Sequence, residues 1–433
     1  MSLDFGKIAS GLAPIAWTDE PWDRRYIKER RDKEPLDREV VAPDPAFRDR
    51  IRTATWDDYD KIIISFSGGK DSLAAVFRVL DLGAPRSKIE LWHQNIDGEH
   101  DSPAVMDWPV TRDYIEAVAV VLGLPLLYQW RGGGLYGEMA RQGRHMAPIY
   151  FESPLRAKPI SGAVFDHVGR NGLSVYRWDT KAGHLAGRGG MPAVSDNLQI
   201  RWCSDVVKIE PFAKAIIYDP RFDKKRLGRA PRLLVVTGER RLEGKKGPII
   251  VVEPDGRQRV SALAGRAAYH MLEPHDTDAP GFITKAGKDT AKRRVDQWRP
   301  VMNMTEDQVW NVMRQHGIRP HPAYELGAWG RCSCSGCIYS SPTQIATWAR
   351  LLPQQYGLVA ALDDQIKAQG RKTWRNKLTL ADWADKGVPQ IDPKVWAFWR
   401  PYFMHTKKIT PEMVRTKRWV LPAGASAPEG GPT

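Results

Sequence analysis

Residues 62–72 read IIISFSGGKDS, and this stretch decides the fold that we expect. Its three isoleucines form a short apolar run of the kind that builds a buried strand. The residues that follow, 73–80, read LAAVFRVL, with apolar side chains at helical spacing. A turn rich in serine and glycine joins the two runs. The stretch therefore predicts a strand, a tight loop and a helix, in that order.

The loop contains the residue types that bind phosphate. Glycines let backbone N–H groups approach an anion, the helix N-terminus adds a positive dipole end, Lys70 adds a full charge, and Ser67 and Ser72 carry hydroxyl donors. It is not the G-x-x-x-x-G-K-[ST] loop, because only Gly69 directly precedes Lys70 and Asp71 follows it. A GTPase or motor ATPase is therefore disfavoured. A glycine turn that merely caps the helix is the alternative.

Further apolar runs extend the pattern along the chain. A run at 89–93 is followed by a helical stretch at 111–122, and strand candidates lie at 125–128 and 232–237. This alternation predicts an α/β fold with a doubly wound parallel sheet. In such a sheet the ligand binds at the carboxyl ends of the strands.

Composition divides the chain into four parts. They are an irregular N-terminal arm at 1–50, a nucleotide-binding α/β domain at 51–342, a helical C-terminal extension at 343–421 and a disordered tail at 422–433. Two segments inside the domain, near 131–200 and near 240–295, lack a sustained period and are expected to be insertions. A helix is expected over 305–316, with Thr305 as its cap.

The charge balance points to an anionic partner. The chain has 433 residues, with 65 lysines and arginines against 51 acidic residues, which gives a net charge of +14. Nucleic acid, a nucleotide or another polyphosphate fits this charge, and a merely soluble basic surface is the alternative. The basic segment 245–294 is the candidate surface for nucleic acid, with an ordinary solvated loop as its alternative. No apolar run is long enough to cross a membrane and the first residues do not form a secretory signal, so we expect a cytoplasmic protein without a membrane partner.

The four cysteines are too few for a disulfide framework in a chain of this length, but three of them lie close together. Cys203 stands alone, whereas Cys332, Cys334 and Cys337 form a C-x-C-x-x-C pattern. Thiolate sulfur binds soft metals, so four cysteines suffice for one [4Fe–4S] or zinc site. A cluster, a zinc ion and free or redox-active thiols remain the three interpretations.

Taken together, these motifs resemble those of the phosphoadenosine phosphosulfate (PAPS) reductase family, within the N-type ATP pyrophosphatases. The loop at 65–72 is similar to the pyrophosphatase loop of that superfamily, and the segments at 95–99, 201–211, 236–241 and 299–337 follow in the family's order. The resemblance covers roughly residues 60–340. Within the family, the set of motifs most resembles that of the iron–sulfur ATP pyrophosphatases of DNA phosphorothioation.

The resemblance implies an adenine nucleotide α-hydrolase-like fold that binds ATP with Mg²⁺. The residues implied to bind the nucleotide are Ser65, Ser67, Gly68, Gly69, Lys70, Asp71, Ser72, Asp97, Gly238, Arg240 and Arg241. Three of these, Lys70, Asp71 and Arg240, are the candidate catalytic residues. Asp71 either positions Mg²⁺ or caps the helix, and the two arginines either clamp an anion or form a solvated basic turn.

The resemblance also implies the metal ligands. Iron–sulfur relatives use a tandem Cys-Cys and a C-x-x-C, which carries over to Cys203, Cys334 and Cys337. Ser204 stands where the second cysteine of the tandem is expected, so Cys332 is the candidate for the fourth ligand. The metal set is therefore Cys203, Cys332, Cys334 and Cys337.

The reductases of this family need a reactive cysteine near the C-terminus, and no cysteine follows Cys337 here. The sequence therefore favours an enzyme that adenylates a substrate and releases pyrophosphate, in sulfur incorporation or nucleic-acid modification. Its expected partners are an adenine nucleotide and either DNA or tRNA or a sulfur-donor protein. A PAPS or adenylyl-sulfate reductase that releases sulfite, and a binding module without turnover, are the alternatives.

Overall fold

The computed structural model describes residues 55–179, 188, 190–194, 200–240, 250–252, 258–260, 289–290, 292–301, 304–375 and 377–426. The predicted N-terminal arm, Arg241, most of the predicted insertion at 240–295 and the tail from 427 onwards lie outside these residues. The order of elements is that of an α/β fold, as expected. No helix in the described ranges is both long and apolar enough to span a bilayer.

One sheet organises the described part of the chain. Its strands are β1 (Lys61–Ser65), β2 (Ile89–Asn95), β3 (Leu126–Arg131), β4 (Ile149–Ser153), β5 (Val164–Val168), β6 (Ser174–Trp178), β7 (Arg232–Val236), β10 (Asp289–Thr290) and β11 (Arg293–Trp298). The order across the sheet is β10-β11-β7-β1-β2-β3-β4-β6-β5, and a separate pair, β8 (Ile250–Val252) and β9 (Gln258–Val260), completes the described strands. Strands β11, β7, β1, β2 and β3 run parallel to one another.

The prediction of a wholly parallel sheet is wrong at both flanks. Strands β4, β6 and β5 are antiparallel to their neighbours, as is β10 at the other edge. Residues 131–200, which lack a clear period in the sequence, supply this antiparallel flank together with a helix. Strand β5 is largely exposed, so its side chains do not show the apolar run of a buried strand.

The helices pack on both faces of the sheet. They are α1 (Lys70–Asp81), α2 (Thr111–Leu122), α3 (Gly134–Ala140), α4 (Glu210–Tyr218), α5 (Lys224–Leu227), α6 (Glu306–Gln315) and α7 (Pro322–Glu325). Ile62 and Ile64 of β1 belong to one buried cluster with α1, whereas Ile63 belongs to a second cluster with α4. A central strand covered on both faces explains the unbroken apolar run in the sequence. The predicted cap is confirmed, because the Thr305 hydroxyl accepts the backbone N–H of Gln308.

Beyond the sheet the chain is helical. These helices are α8 (Pro342–Leu351), α9 (Pro353–Ala368), α10 (Leu380–Ala384), α11 (Pro393–Phe403) and α12 (Pro411–Val414). Helices α8 and α9 are separate because Pro353 disfavours the helical conformation at Leu352, whose φ is −130°. Ala423–Ser426, at the start of the predicted disordered tail, form a 3₁₀ turn.

Candidate functional site

The loop between β1 and α1 follows a path that only glycine permits. Gly68 has a φ of +79°, and a Cβ at this position would lie 2.7 Å from Cγ2 of Ile115 on α2. Gly69 caps α1, and a Cβ there would lie 3.4 Å from the carbonyl oxygen of Cys332. The loop is therefore packed between α2 and residues 332–337, the cysteine segment. This path leads the chain directly into the N-terminus of α1.

Lys70 lies beneath the loop and is fully buried. Its Nζ donates a hydrogen bond of 2.8 Å to the carbonyl oxygen of Gly330, and it lies 3.6 Å from Asp71 Oδ2 and 3.7 Å from Glu306 Oε1. Its backbone N–H donates to the Tyr324 hydroxyl at 3.0 Å. The ammonium group therefore sits among protein partners in the first turn of α1.

Asp71 is held by a second cation. The Nε of Arg240, which is 1% exposed, donates to Asp71 Oδ1 at 2.5 Å. Burial raises the pKa of Asp71, but the charges of Arg240 and Lys70 outweigh this effect and leave the pKa below its usual value. Gly238 permits the close approach, because a Cβ there would lie 2.6 Å from the carbonyl group of Asp71. The end of β7 is thereby locked to the start of α1.

A cavity of about 210 Å³ opens above the loop, at the carboxyl ends of β1, β2 and β7. The predicted site residues on its wall are Ser65, Ser67, Gly69, Asp71, Ser72, Gly238, Cys332 and Cys334. Lys208, which lies in a helical segment before α4, also faces the cavity. The fold thus brings the loop at 65–72 and the cysteine segment to one site, although they are more than 250 residues apart in the chain.

Asp97, predicted to bind the cofactor, has a local partner. Its two carboxylate oxygens accept the backbone N–H groups of Met106 and Asp107 at 2.8 and 3.0 Å. The neighbouring segment is fastened in turn to the cysteine segment, because Trp108 Nε1 donates to the carbonyl oxygen of Ser333 at 2.9 Å. Asp97 lines an adjacent cavity, also of about 210 Å³, and not the cavity above the loop.

Four residues that the sequence did not single out lie at this site. His93, Asp107 and Thr111 line the wall shared by the two cavities, and His321 lies behind them. Burial lowers the pKa of His321 to about 3, so its ring is neutral at pH 7. The sequence offers one local signal for these residues: Asp107 stands four residues before Thr111, where a helix is predicted to begin.

His321, Thr111 and Asp107 form a directed chain of hydrogen bonds. His321 Nδ1 accepts the backbone N–H of Ala323 at 3.1 Å, which leaves the proton of the neutral ring on Nε2. Nε2 then donates to Thr111 Oγ1 at 3.2 Å, and Thr111 donates to Asp107 Oδ1 at 3.2 Å. Burial and the nearby Asp97 carboxylate raise the pKa of Asp107 to about 7. The site therefore contains an oriented carboxyl group that exchanges protons near neutral pH.

The four cysteines are free thiols and half-buried. Three of them, Cys334, Cys337 and Cys203, lie near Lys208 and raise its pKa against the opposing effect of burial. Burial and the proximity of Cys337 raise the pKa of Cys203 to about 11. Cys203 therefore lies within electrostatic range of Cys337, although 134 positions separate the two residues in the chain.

Direct coordination of a metal stays a prediction. Across the described ranges, no group of three histidine, cysteine, aspartate or glutamate side chains is arranged to hold a single metal ion.

Comparison with known proteins found a short, partial match and no family. No family model matches this chain. An uncharacterized 37.8 kDa protein in the gpa 5′ region of Escherichia phage 186 is 26% identical over 114 residues. The matched part is 26% of this chain and 30% of the phage protein, so the chain spans less than a third of that relative.

Proposed function

We propose that this protein is a PP-loop ATP pyrophosphatase of the PAPS reductase family, which binds ATP, releases pyrophosphate and adenylates an acceptor. The acceptor reaction serves sulfur incorporation or nucleic-acid modification. The observation that carries the proposal is the single cavity lined by both the loop at 65–72 and the cysteine segment. The five parallel strands support the adenine nucleotide α-hydrolase-like, doubly wound arrangement, since the loop follows the middle strand, β1.

The loop residues bind and orient the triphosphate. Ser67 and Ser72 offer hydroxyls that now bond to each other at 3.2 Å, and the first backbone N–H groups of α1 face the same anion. Lys70 and Arg240 supply positive charge beneath them. The acceptor nucleophile forms a bond to the α-phosphorus while the bond to the bridging oxygen breaks, and pyrophosphate leaves with the electron pair.

Two sets of side chains have the donor chemistry of a cofactor site. Asp71 keeps its carboxylate ionised and faces the cavity, so it would hold Mg²⁺ together with phosphate oxygens. Cys203, Cys334 and Cys337, with Cys332 as the fourth ligand, would hold a [4Fe–4S] cluster, and zinc is the alternative. Such a group would fasten the cysteine segment beside the loop, because Cys332 and Cys334 lie on the cavity wall.

One observation keeps a second function open. Two free thiols, Cys332 and Cys334, line the cavity that would hold the nucleotide. A PAPS or adenylyl-sulfate reductase also needs a thiol next to its nucleotide. The same two cysteines belong to the proposed metal site, so a reductase would have to take its thiol from that site, and the adenylating enzyme is favoured.

Calorimetric titration of anaerobically purified protein with ATP, PAPS and adenylyl sulfate tests the proposal, with pyrophosphate and sulfite assayed in the same samples. Preferential ATP binding with pyrophosphate release is expected. Ser67→Ala should weaken ATP binding, whereas Ser87→Ala, which removes a hydroxyl from an exposed turn, should not. Sulfite release from PAPS or adenylyl sulfate would establish the reductase, and ATP binding without pyrophosphate release would indicate a binding module.

A further inference from the structure

The C-terminal helices carry a groove of about 790 Å³ that the nucleotide site does not use. It lies between α8 and α11, and its wall includes Arg350, Trp396, Arg400, Pro401, Met404 and Thr406. The two guanidinium groups are exposed and, among the described residues, bond to no other side chain or backbone group. The groove therefore combines apolar walls, an accessible indole ring and two uncommitted positive charges.

A short segment connects this groove to the cavities at the sheet. Met404 and Thr406 line the groove, whereas His405 and Lys408 line the cavity that contains Asp97. His405 has a φ of +54°, a conformation that costs a non-glycine residue about 1–2 kcal/mol. Residues 404 and 406 thus face the groove and residues 405 and 408 face the cavity that contains Asp97, so both cavities open along the same five residues.

Further cations surround the second cavity. Arg112 of α2 lies on its wall, half-buried, and within the described ranges its guanidinium makes no hydrogen bond or ion pair. Arg170 and Lys408 lie on the same wall. Burial, followed by the charges of Arg112 and Arg170, lowers the pKa of His100 to about 4, and Lys408 acts in the same direction. Arg112, Arg170 and Lys408 therefore all place positive charge at the second cavity.

The acidic groups of the second cavity are mostly committed to the protein. Asp97 accepts two backbone N–H groups, Asp107 accepts from Thr111, and Glu116 accepts from the Tyr128 hydroxyl at 3.0 Å. Burial raises the pKa of each of these carboxyl groups. Asp113 on the same wall has a buried Oδ2 without a hydrogen-bond partner among the described residues, and Arg170 pairs with Asp101. The uncommitted charges at the cavity are therefore the two cations Arg112 and Lys408 and the one carboxylate of Asp113.

From this arrangement we propose that a single-stranded nucleic acid lies along the groove, the segment 404–408 and the second cavity. A base stacks on Trp396, and phosphates contact Arg350, Arg400, Lys408 and Arg112. The inner wall of the second cavity, at His93, Asp107 and Thr111, is also the wall of the nucleotide cavity. The strand thus ends beside the reactive phosphate. This inference rests on the proposed function, for which it identifies the acceptor and its binding surface.

The charge of the whole chain and the size of the cavity favour this ligand. A net charge of +14 attracts a polyanion. The inner cavity, about 210 Å³, has room for part of one nucleotide and not for a base-paired duplex. The C-terminal extension is a different surface from the basic segment 245–294, most of which lies outside the described residues.

Fluorescence anisotropy with a labelled single-stranded DNA of about 12 nucleotides and mixed sequence tests the proposal on the full chain. The double variant Arg350→Gln and Arg400→Gln should bind at least tenfold more weakly at low salt. Its log–log salt slope should fall by about 1.4, because each lost phosphate contact contributes about 0.7. Trp396→Leu should lose about 5- to 150-fold in affinity through lost stacking.

The matched control is Lys225→Gln with Arg226→Gln on α5. It removes the same two charges from exposed positions just before β7, at the amino end of the sheet. Binding equal to that of the unmodified protein is expected. An equal loss in the control, tighter binding of a duplex of the same sequence, or no binding of the strand would each overturn the proposal. Urea unfolding of every variant verifies that the fold is retained.

Nucleotide binding by the unmodified protein is measured in parallel. A protein that binds ATP but not the strand overturns this inference and leaves the proposed function standing. A protein that binds the strand but neither ATP nor PAPS overturns the proposed function, and with it the role of the strand as acceptor.

Discussion

Arg240 Nε donates to Asp71 Oδ1 at 2.5 Å, across 169 positions of sequence. This contact joins the segment after β7 to the first turn of α1, directly below the loop at 65–72. Both groups are largely withdrawn from solvent, with side-chain exposures of 1% and 17%. The pair therefore determines both the position of the loop and the charge beneath it.

Breaking this pair should cost more than breaking an exposed one. Asp71→Asn or Arg240→Gln alone is expected to lower the free energy of unfolding by about 3–5 kcal/mol, since each removes one member of a buried ion pair. The double variant should lose less than the sum of the two single losses. Urea unfolding of the four proteins gives the coupling energy. Additive losses would contradict the interpretation.

The Asp60–Arg229 pair provides the control for that cycle. Its atoms also approach to 2.5 Å, but Arg229 is 57% exposed. Arg229→Gln should lower the free energy of unfolding by less than about 1 kcal/mol, because solvent screens exposed charges.

Gly68→Ala tests the conformation of the loop. The left-handed backbone should cost about 1–2 kcal/mol, and the contact of the new Cβ with Ile115 should displace the loop and weaken ATP binding. Gly357→Ala, inside α9 with open space around it, should leave ATP binding unchanged and stabilise the protein by about 0.5–1 kcal/mol. Calorimetric titration and urea unfolding measure both effects. Unchanged ATP affinity in Gly68→Ala would show that the loop does not bind the nucleotide.

Two buried histidines should make the protein sensitive to mild acid. Burial lowers the pKa of His93 from 6.5 to about 4 and that of His321 from 6.5 to about 3. Their contribution to stability is therefore complete above pH 6.5 and is lost as the pH falls, because the unfolded chain takes up protons that the folded protein refuses. Each should remove about 2 kcal/mol between pH 7 and pH 5.

His321→Asn separates one of these contributions. Asparagine retains an acceptor for the Ala323 N–H and does not titrate, although its shorter amide does not reach Thr111. The loss of stability between pH 7 and pH 5 should shrink by about 2 kcal/mol in urea unfolding experiments. An undiminished loss would show that His321 accepts a proton in the folded protein.

Metal analysis tests the cysteine site. Anaerobically purified protein is expected to contain about four iron atoms per chain, and Cys203→Ser, Cys334→Ser and Cys337→Ser should each lower that content. Cys332→Ser decides whether this residue is the fourth ligand, and Ser204→Ala next to Cys203 is the control. One zinc ion per chain would establish the alternative. Protein without either metal, purified under the same conditions, would contradict both.

Local pattern was sufficient for the elements with unbroken apolar runs. Ile62, Ile63 and Ile64 identified a strand covered on both faces, and Thr305 identified the start of α6. It was insufficient for β4 to β6, because edge strands carry mixed side chains and their antiparallel pairing is decided by neighbours far along the chain.

The same division applies to the site. The sequence by itself determined the α/β class, and it predicts an anion-binding loop because glycine, serine and lysine stand together between a strand and a helix. It also marked the cysteines as a set. Only the tertiary structure decided that Lys70 is buried beside Glu306, that Arg240 binds Asp71, and that His321, Thr111 and Asp107 form one hydrogen-bonded chain. Apart from the Thr111–Asp107 contact, these relationships join residues between 169 and 236 positions apart, and folding alone brings such distant groups into contact.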